Sequence, residues 1–137
     1  RLLALNDLCL FLIKINGLSK KSDIIKKISD ILCGIFQFRD LIFEYKNDCF
    51  AAIKTNQTID EAIPVADELY SEISNLLIEE KLPCFIGLSS KTIRLVSGER
   101  LLKEAEAALE HAQTDPESPI IAFRADAEKY MNFIEKN

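Results

Sequence analysis

The feature of this sequence that most constrains its fold is the continuous apolar run LCLFLIKI at Leu8–Ile15. Uninterrupted β-compatible runs of this kind are typical of a central strand that is covered on both faces. The run is too short to cross a bilayer, so no direct membrane insertion is expected. With 137 residues, the chain has a length typical of one compact domain.

Helical periodicity and turn residues divide the remainder of the chain into alternating elements. The sequence predicts helices at residues 22–36, 58–80 and 97–113, strands at 40–46, 49–55, 83–89 and 119–125, and a short terminal helix from Asp126. This order, with one adjacent pair of strands, predicts an α+β fold in which helices pack on a mixed sheet of the ferredoxin-like type.

Three local patterns sharpen this prediction. Asn47 and Asp48 separate the second and third strands, and both residue types tolerate left-handed backbone conformations, which predicts a tight β-hairpin. A capping-box pattern at Thr58 marks the start of the second helix, although Pro64 should kink its first turns or delay its start. Gly87, inside the fourth strand, allows another part of the backbone to approach closely.

Charge and cysteine content exclude two classes of site. The formal net charge of −5 argues against a nucleic-acid partner, because phosphate recognition depends on clustered Lys and Arg. The four cysteines (Cys9, Cys33, Cys49 and Cys84) form no CxxC pair and lie in apolar segments, so reduced thiols and no zinc site are expected. We expect residues 1–137 to form a single domain of a larger cytoplasmic protein, or of the cytoplasmic part of a membrane-anchored one.

The segment DLIFEYKNDCF at residues 40–50 resembles the strand, signature hairpin and following strand of the GGDEF family. In this resemblance, Asp40 matches the aspartate that usually precedes the signature. Asp48 and Phe50 match the third and fifth letters of the signature itself.

Three further segments resemble the same family in the same order. TIDEA at residues 58–62 is similar to its T-x-x-E-A helix entry, FIGLS at 85–89 to its S-I-G-V-S strand, and LLKEAEAAL at 101–109 to its L-L-x-x-A-D-x-A-L helix. Each motif alone is unspecific, so the order and spacing around one hairpin carry the resemblance. It implies a nucleotide-cyclase-like fold with a central β-hairpin. An unrelated α+β domain with similar periodicity is the alternative.

The resemblance also implies which residues would hold metal. An active member of the family needs two metal ions held by carboxylates. Lys14, or Asn16 in a shifted register, stands where the first strand should end in such a carboxylate. Asp48 keeps the metal-binding third letter, but a lone carboxylate is a poor magnesium site. We therefore expect neither a metal nor a cofactor.

The remaining catalytic positions depart from the family pattern as well. Lys46 and Asn47 replace the two signature glycines, which would let the backbone lie against a nucleotide. Cys49 replaces the catalytic glutamate of the fourth letter. Gln113 replaces the phosphate-facing lysine near the end of the third helix. The guanine-contacting stretch is absent from residues 17–23.

The family's feedback site is an Arg-x-x-Asp motif, which here would end at Asp40. Gln37 then stands where the arginine is required. Binding of the cyclic product at this former feedback site is therefore not expected.

Lys14 and Asp48 are expected to project into the former metal site. We predict that the Lys14 ammonium replaces the metal cation and forms a partly buried ion pair with Asp48, which would be costly to break. The alternative is a pair of solvated surface charges.

Three functions remain open. The preferred one is a catalytically inactive regulatory or interaction module in bacterial signalling, with a protein partner or a second copy as its ligand. The others are a non-catalytic receptor for a nucleotide or cyclic di-GMP, and an enzyme of altered chemistry such as slow nucleotide hydrolysis. His111 and Ser89 lack nearby catalytic partners in the sequence and are expected to be structural.

Overall fold

The computed structural model describes residues 7–18, 22–36, 41–91, 96–115 and 117–124. The elements in chain order are β1 (Leu8–Ile15), α1 (Ser22–Ile35), β2 (Leu41–Glu44), β3 (Cys49–Thr55), α2 (Ile59–Leu77), β4 (Cys84–Ser90), α3 (Gly98–Thr114) and β5 (Ile120–Ala122). The order of strands and helices from β1 through β5 is the predicted one. The helix predicted from Asp126 lies outside the described residues.

The strands form one five-stranded sheet in the order β2-β3-β1-β4-β5. The central strand β1 is antiparallel to both β3 and β4, and β2 is antiparallel to β3. Only the pairing of β4 with β5 is parallel among the described strands. The sheet is therefore mixed, as predicted, and β2 and β3 form the predicted hairpin.

Side chains of β1 alternate between two apolar clusters on opposite faces of the sheet. Cys9, Phe11 and Ile13 pack in the larger cluster with α1 and α2, whereas Leu10 and Leu12 pack in the smaller cluster with α3. We call these the α1/α2 face and the α3 face. Because each face is covered by helices, all positions from Cys9 to Ile13 are apolar and buried, which explains the apolar run.

Helix α3 lies against the sheet at Gly87 of β4. A Cβ atom at this position would lie 2.5 Å from the backbone nitrogen of Leu109 and 2.6 Å from the carbonyl oxygen of Ala105. The buried Ser89 hydroxyl donates a 2.7 Å hydrogen bond to the carbonyl oxygen of Leu101. The close approach predicted for Gly87 is confirmed, and it fixes the distance between α3 and the sheet.

Helix α2 begins at Ile59 behind a complete capping box. The Thr58 side chain accepts from the backbone nitrogen of Glu61, and the Glu61 side chain accepts from the backbone nitrogen of Thr58. The predicted delay at Pro64 is wrong, because the first turn is already closed by a 3.0 Å bond from Ala62 nitrogen to Thr58 oxygen. None of the helices that the structure describes is long and apolar enough to cross a membrane.

Candidate functional site

The β2–β3 hairpin turns through residues 45–48, and Tyr45 nitrogen donates to Cys49 oxygen at 2.8 Å. The left-handed residues are Lys46 (φ 58°) and Asp48 (φ 61°), not the adjacent pair Asn47 and Asp48. A left-handed lysine is uncommon, since a side chain crowds the backbone in this region. Contacts from outside the turn must therefore help to hold it.

One such contact is made by Asp48 with the end of β1. Its Oδ2 accepts a 3.1 Å hydrogen bond from Gly17 nitrogen, and its carbonyl oxygen accepts a 2.9 Å bond from Ile15 nitrogen. Gly17 itself has φ 89°, a conformation that favours glycine. Asp48 thus clamps the hairpin to the chain that leaves β1.

The predicted Lys14–Asp48 ion pair is not among the ion pairs of the described residues. The strand register gives the reason. Lys14 pairs with Cys49 across β1 and β3, and directly paired residues place their side chains on the same face. Asp48 precedes Cys49 by one residue and lines a different, smaller cavity of about 280 Å³ with Leu18 and Ile25.

A cavity of about 470 Å³ lies on the α3 face between the hairpin and α3. We call it the hairpin cavity. Its lining includes three lysines and two glutamates, contributed by β1, the turn and α3: Lys14, Lys46, Lys103, Glu106 and Glu110. The site is therefore rich in charge, and lysine ammonium groups outnumber carboxylates.

Two of these side chains, Lys46 and Glu106, fasten the turn to α3 together with Tyr45, which also lines the cavity. Tyr45 hydroxyl donates a hydrogen bond to Glu106 Oε2, and Lys46 Nζ lies 3.0 Å from the same oxygen. Lys46 Nζ also lies 5.2 Å from the centre of the Tyr45 ring. We call Tyr45, Lys46 and Glu106 the hairpin latch.

The latch changes the ionisation of its members. Two hydrogen bonds lower the pKa of Glu106. The bond from Tyr45 has the larger effect, and the bond from Lys46 has the next largest. Desolvation and the hydrogen bond to Glu106 raise the pKa of Tyr45, and the same carboxylate raises the pKa of Lys46. At neutral pH the latch therefore contains a carboxylate, an ammonium and a neutral phenol.

Cys49 is buried beside Lys14 on the floor of the hairpin cavity. Burial raises the pKa of its thiol to about 11, and the opposing effect of the nearby Lys14 charge is smaller. A neutral thiol neither replaces a carboxylate electrostatically nor acts as a strong nucleophile. Within the described parts of the chain, no group of three or more His, Cys, Asp or Glu side chains could hold a metal ion.

The other predicted site residues are spread over the structure. Phe50 is buried in the cluster of the α1/α2 face. Gln113 is exposed, and its Nε2 donates to the Leu109 carbonyl of its own helix at 3.5 Å. Gln37 and Asp40, assigned to the former feedback site, lie outside the described residues.

Two expectations concern residues outside the signature. His111 is exposed on α3, in keeping with the expected structural role, and the buried Ser89 hydroxyl is occupied by a backbone carbonyl. Asn16, the alternative to Lys14, is exposed in the turn after β1, where its backbone nitrogen bonds to Pro83 oxygen at 3.2 Å. None of these three lines the hairpin cavity.

Sequence reasoning assigned Gln113 of α3 to the site but missed the residues of this helix that line the cavity. Lys103, Glu106 and Glu110 all line the hairpin cavity. Their spacing of three, four and seven residues places them on one face of the helix. That spacing was a usable signal, but nothing local in the sequence connects it to Tyr45, which is 61 residues away from Glu106.

The sequence matches no family model, and no curated protein is similar to it. Solved structures do share its architecture. The GGDEF domain of DgcB from Caulobacter crescentus, solved in complex with c-di-GMP, has a TM-score of 0.72 at 16% identity, covering 88% of this chain and 80% of that chain.

Two further structures give the same result. The active GGEEF domain of a diguanylate cyclase from Vibrio cholerae has a TM-score of 0.72 at 12% identity, covering 88% of this chain and 85% of that chain. The GGDEF domain of TpbB, or YfiN, from Pseudomonas aeruginosa has a TM-score of 0.72 at 15% identity, covering 93% and 83%. The chain therefore has the fold of GGDEF domains.

Proposed function

We propose that this domain of GGDEF fold is a regulatory or interaction module without diguanylate cyclase activity. The observation that carries the proposal is the pairing of Lys14 with Cys49 on the floor of the hairpin cavity. Metal-assisted phosphoryl chemistry needs anionic ligands for its metal ions. A cationic ammonium and a neutral thiol offer none.

Two of the acidic groups near the hairpin, those of Asp48 and Glu106, are already engaged in hydrogen bonds. The Asp48 carboxylate accepts a hydrogen bond from Gly17 nitrogen, and the Glu106 carboxylate accepts from Tyr45 and Lys46. Recruiting either carboxylate to a metal would break contacts that hold the turn. This supports a hairpin that serves structure rather than turnover.

The intact architecture around this altered site supports a role in interaction. Both faces of β1 remain covered, and the central strands retain buried apolar side chains. A folded scaffold that lacks catalytic groups is suited to transmit a signal to a protein partner or to a second copy within a larger cytoplasmic protein.

The deciding experiment incubates the purified chain with GTP and either magnesium or manganese, and measures cyclic di-GMP by mass spectrometry. The proposal expects no product above a protein-free blank, while an active GGDEF domain under the same conditions supplies the positive control. Product formation that disappears in Asp48→Asn would overturn it. Asparagine is the matched change, because it removes the charge but keeps an acceptor for Gly17 and tolerance of the left-handed conformation.

The same incubation tests altered chemistry. Phosphate release from GTP or ATP is measured in parallel, and the interaction module predicts none above the blank. Magnesium-dependent release that Asp48→Asn abolishes would instead assign slow nucleotide hydrolysis to this domain.

A further inference from the structure

We propose that two copies of this chain dimerise by pairing their β2 strands edge to edge, with Phe43 of one copy against Phe43 of the other. The inference rests on the proposed interaction role only in naming a second copy as the partner, and it adds to that role a surface and a register. The surface consists of Ile42, Phe43 and Glu44, and we call it the β2 edge.

Strand β2 stands at one end of the sheet and pairs on one side only, with β3. Among the described residues, no backbone hydrogen bond reaches its outer side. The strand contains neither lysine nor proline, the residues that commonly protect an exposed edge from pairing with another chain. Within this part of the chain, the outer side is therefore open to another strand.

The backbone groups that point away from β3 belong to Ile42 and Glu44. Tyr45 nitrogen donates to Cys49 oxygen, so these two residues form a hydrogen-bonded pair. Bonded and unbonded pairs alternate along an antiparallel ladder, which bonds Phe43 to β3 and leaves Ile42 and Glu44 in unbonded pairs. The N–H and C=O groups of Ile42 and Glu44 therefore face the open side.

These groups fix the register with a second, antiparallel copy. When Ile42 of each copy lies opposite Glu44 of the other, both pairs exchange their two N–H···O bonds. A shift by one residue would set outward groups against inward ones, and a shift by two would leave only one such pair within Leu41–Glu44. The register centred on Phe43 is therefore the one that pairs all the outward groups of the strand.

The same register covers the exposed apolar side chain of the strand. Phe43 is 46% exposed, and Ile78 is the other exposed large hydrophobic residue among those that the structure describes. Phe43 pairs with Ala51 of the α3 face, but α3 packs mainly on β4, β1 and β5 and leaves this edge uncovered. In the dimer the two Phe43 rings are directly opposed cross-strand neighbours, a pairing that stabilises sheets.

The surface is self-complementary, so the contact is isologous and closes at two copies. Only the four residues of β2 take part, and an interface this small gives a weak, reversible dimer. The two Glu44 side chains become diagonal neighbours on one face of the joined sheet, where like charges are unfavourable. The geometry therefore predicts that removal of this charge strengthens the dimer.

Analytical ultracentrifugation of the purified chain, up to its solubility limit, should show a monomer–dimer equilibrium. Phe43→Lys should weaken the dimer at least about tenfold, because it removes the aromatic pair and opposes two ammonium groups. Ile78→Lys is the matched control at the other exposed hydrophobic residue and should leave the dissociation constant unchanged. Glu44→Gln should lower the dissociation constant.

Disulfide cross-linking tests the register. Directly opposed residues of an unbonded pair have Cα atoms about 4.5 Å apart, within the range of about 4.4–6.8 Å that a disulfide spans. Phe43→Cys, combined with Cys33→Ser to remove the exposed native thiol, should form a covalent dimer when diamide oxidises the two thiols. Ile78→Cys with the same Cys33→Ser change should stay monomeric.

A chain that stays monomeric at every concentration overturns the proposal, as does a dimer that Phe43→Lys leaves intact. Equal cross-linking of Phe43→Cys and Ile78→Cys overturns it as well. Circular dichroism checks that each variant is folded, and Phe43→Cys decides the matter if Phe43→Lys is not. A monomeric chain would leave the proposed absence of cyclase activity standing, whereas cyclic di-GMP synthesis from GTP would refute that function and leave the edge pairing untouched.

Discussion

Replacing Gly87 by alanine should displace α3 from the sheet. The added Cβ would lie 2.5, 2.6 and 2.8 Å from three backbone atoms of α3, whereas carbon atoms in favourable contact are about 3.5–4.0 Å apart. Backbone atoms of a helix cannot move one at a time, so the whole helix must retreat by on the order of 1 Å. Overpacking usually costs about 1–3 kcal/mol, and we expect a loss at the upper end of that range or beyond.

Gly34→Ala is the matched control, because it makes the same chemical change where no atom beyond the neighbouring residues and the local helix backbone lies within 4 Å of the new Cβ. Gly34 lies inside α1, so alanine should stabilise the chain by up to about 1 kcal/mol through its higher helix propensity. Urea unfolding followed by circular dichroism measures both changes. A Gly87→Ala variant that loses less than about 1 kcal/mol would refute the reasoning that close packing at this glycine positions α3.

Three further predictions concern the capping box, the latch and the thiols. Thr58→Ala should destabilise the chain by about 0.5–2 kcal/mol in the same unfolding assay, because it removes the N-cap of α2; an unchanged midpoint would contradict this. The pKa of Glu106 is lowered in the folded chain. The latch therefore contributes its full free energy of stabilisation above the ordinary carboxyl pKa, and loses it as the pH falls through the lowered pKa of the folded chain. Wild type should therefore lose more stability on acidification than Glu106→Gln, and parallel pH profiles would argue against the latch. The pKa of Cys49 is raised to about 11, so iodoacetamide should alkylate the exposed Cys33 well before Cys49 in the native protein. Peptide mass mapping measures the two rates of alkylation. Equal rates would contradict the burial of Cys49.

The fold was largely predictable because its strands and helices bury apolar side chains in regular patterns. Both bounds of β1 follow from its apolar run, and the hairpin follows from the turn residues between β2 and β3. The start of α2 follows from the capping box at Thr58. The delay allowed for at Pro64 does not occur, because the first turn is closed before the proline.

The site was less predictable because it depends on register and on long-range packing. The sequence identified Lys14, Cys49 and Asp48 as former site residues, but it could not tell which two share a face. A one-residue offset places Lys14 opposite Cys49 and removes Asp48 from the expected pair. The latch depends on how α3 is docked at Gly87, where the sequence predicted a close approach but not which element makes it.

The division of the interior into two clusters has a thermodynamic consequence for the hairpin cavity. Its walls belong to α3 and the hairpin, and α3 packs on the sheet through the smaller cluster. Opening of this layer would therefore break fewer apolar contacts than opening of the α1/α2 face. A molecule that fills the cavity would bind only the closed state and would raise the free energy of opening by mass action. Occupancy of the cavity and docking of α3 would then be one coupled equilibrium, through which a small ligand could control the surface that the outer side of α3 presents.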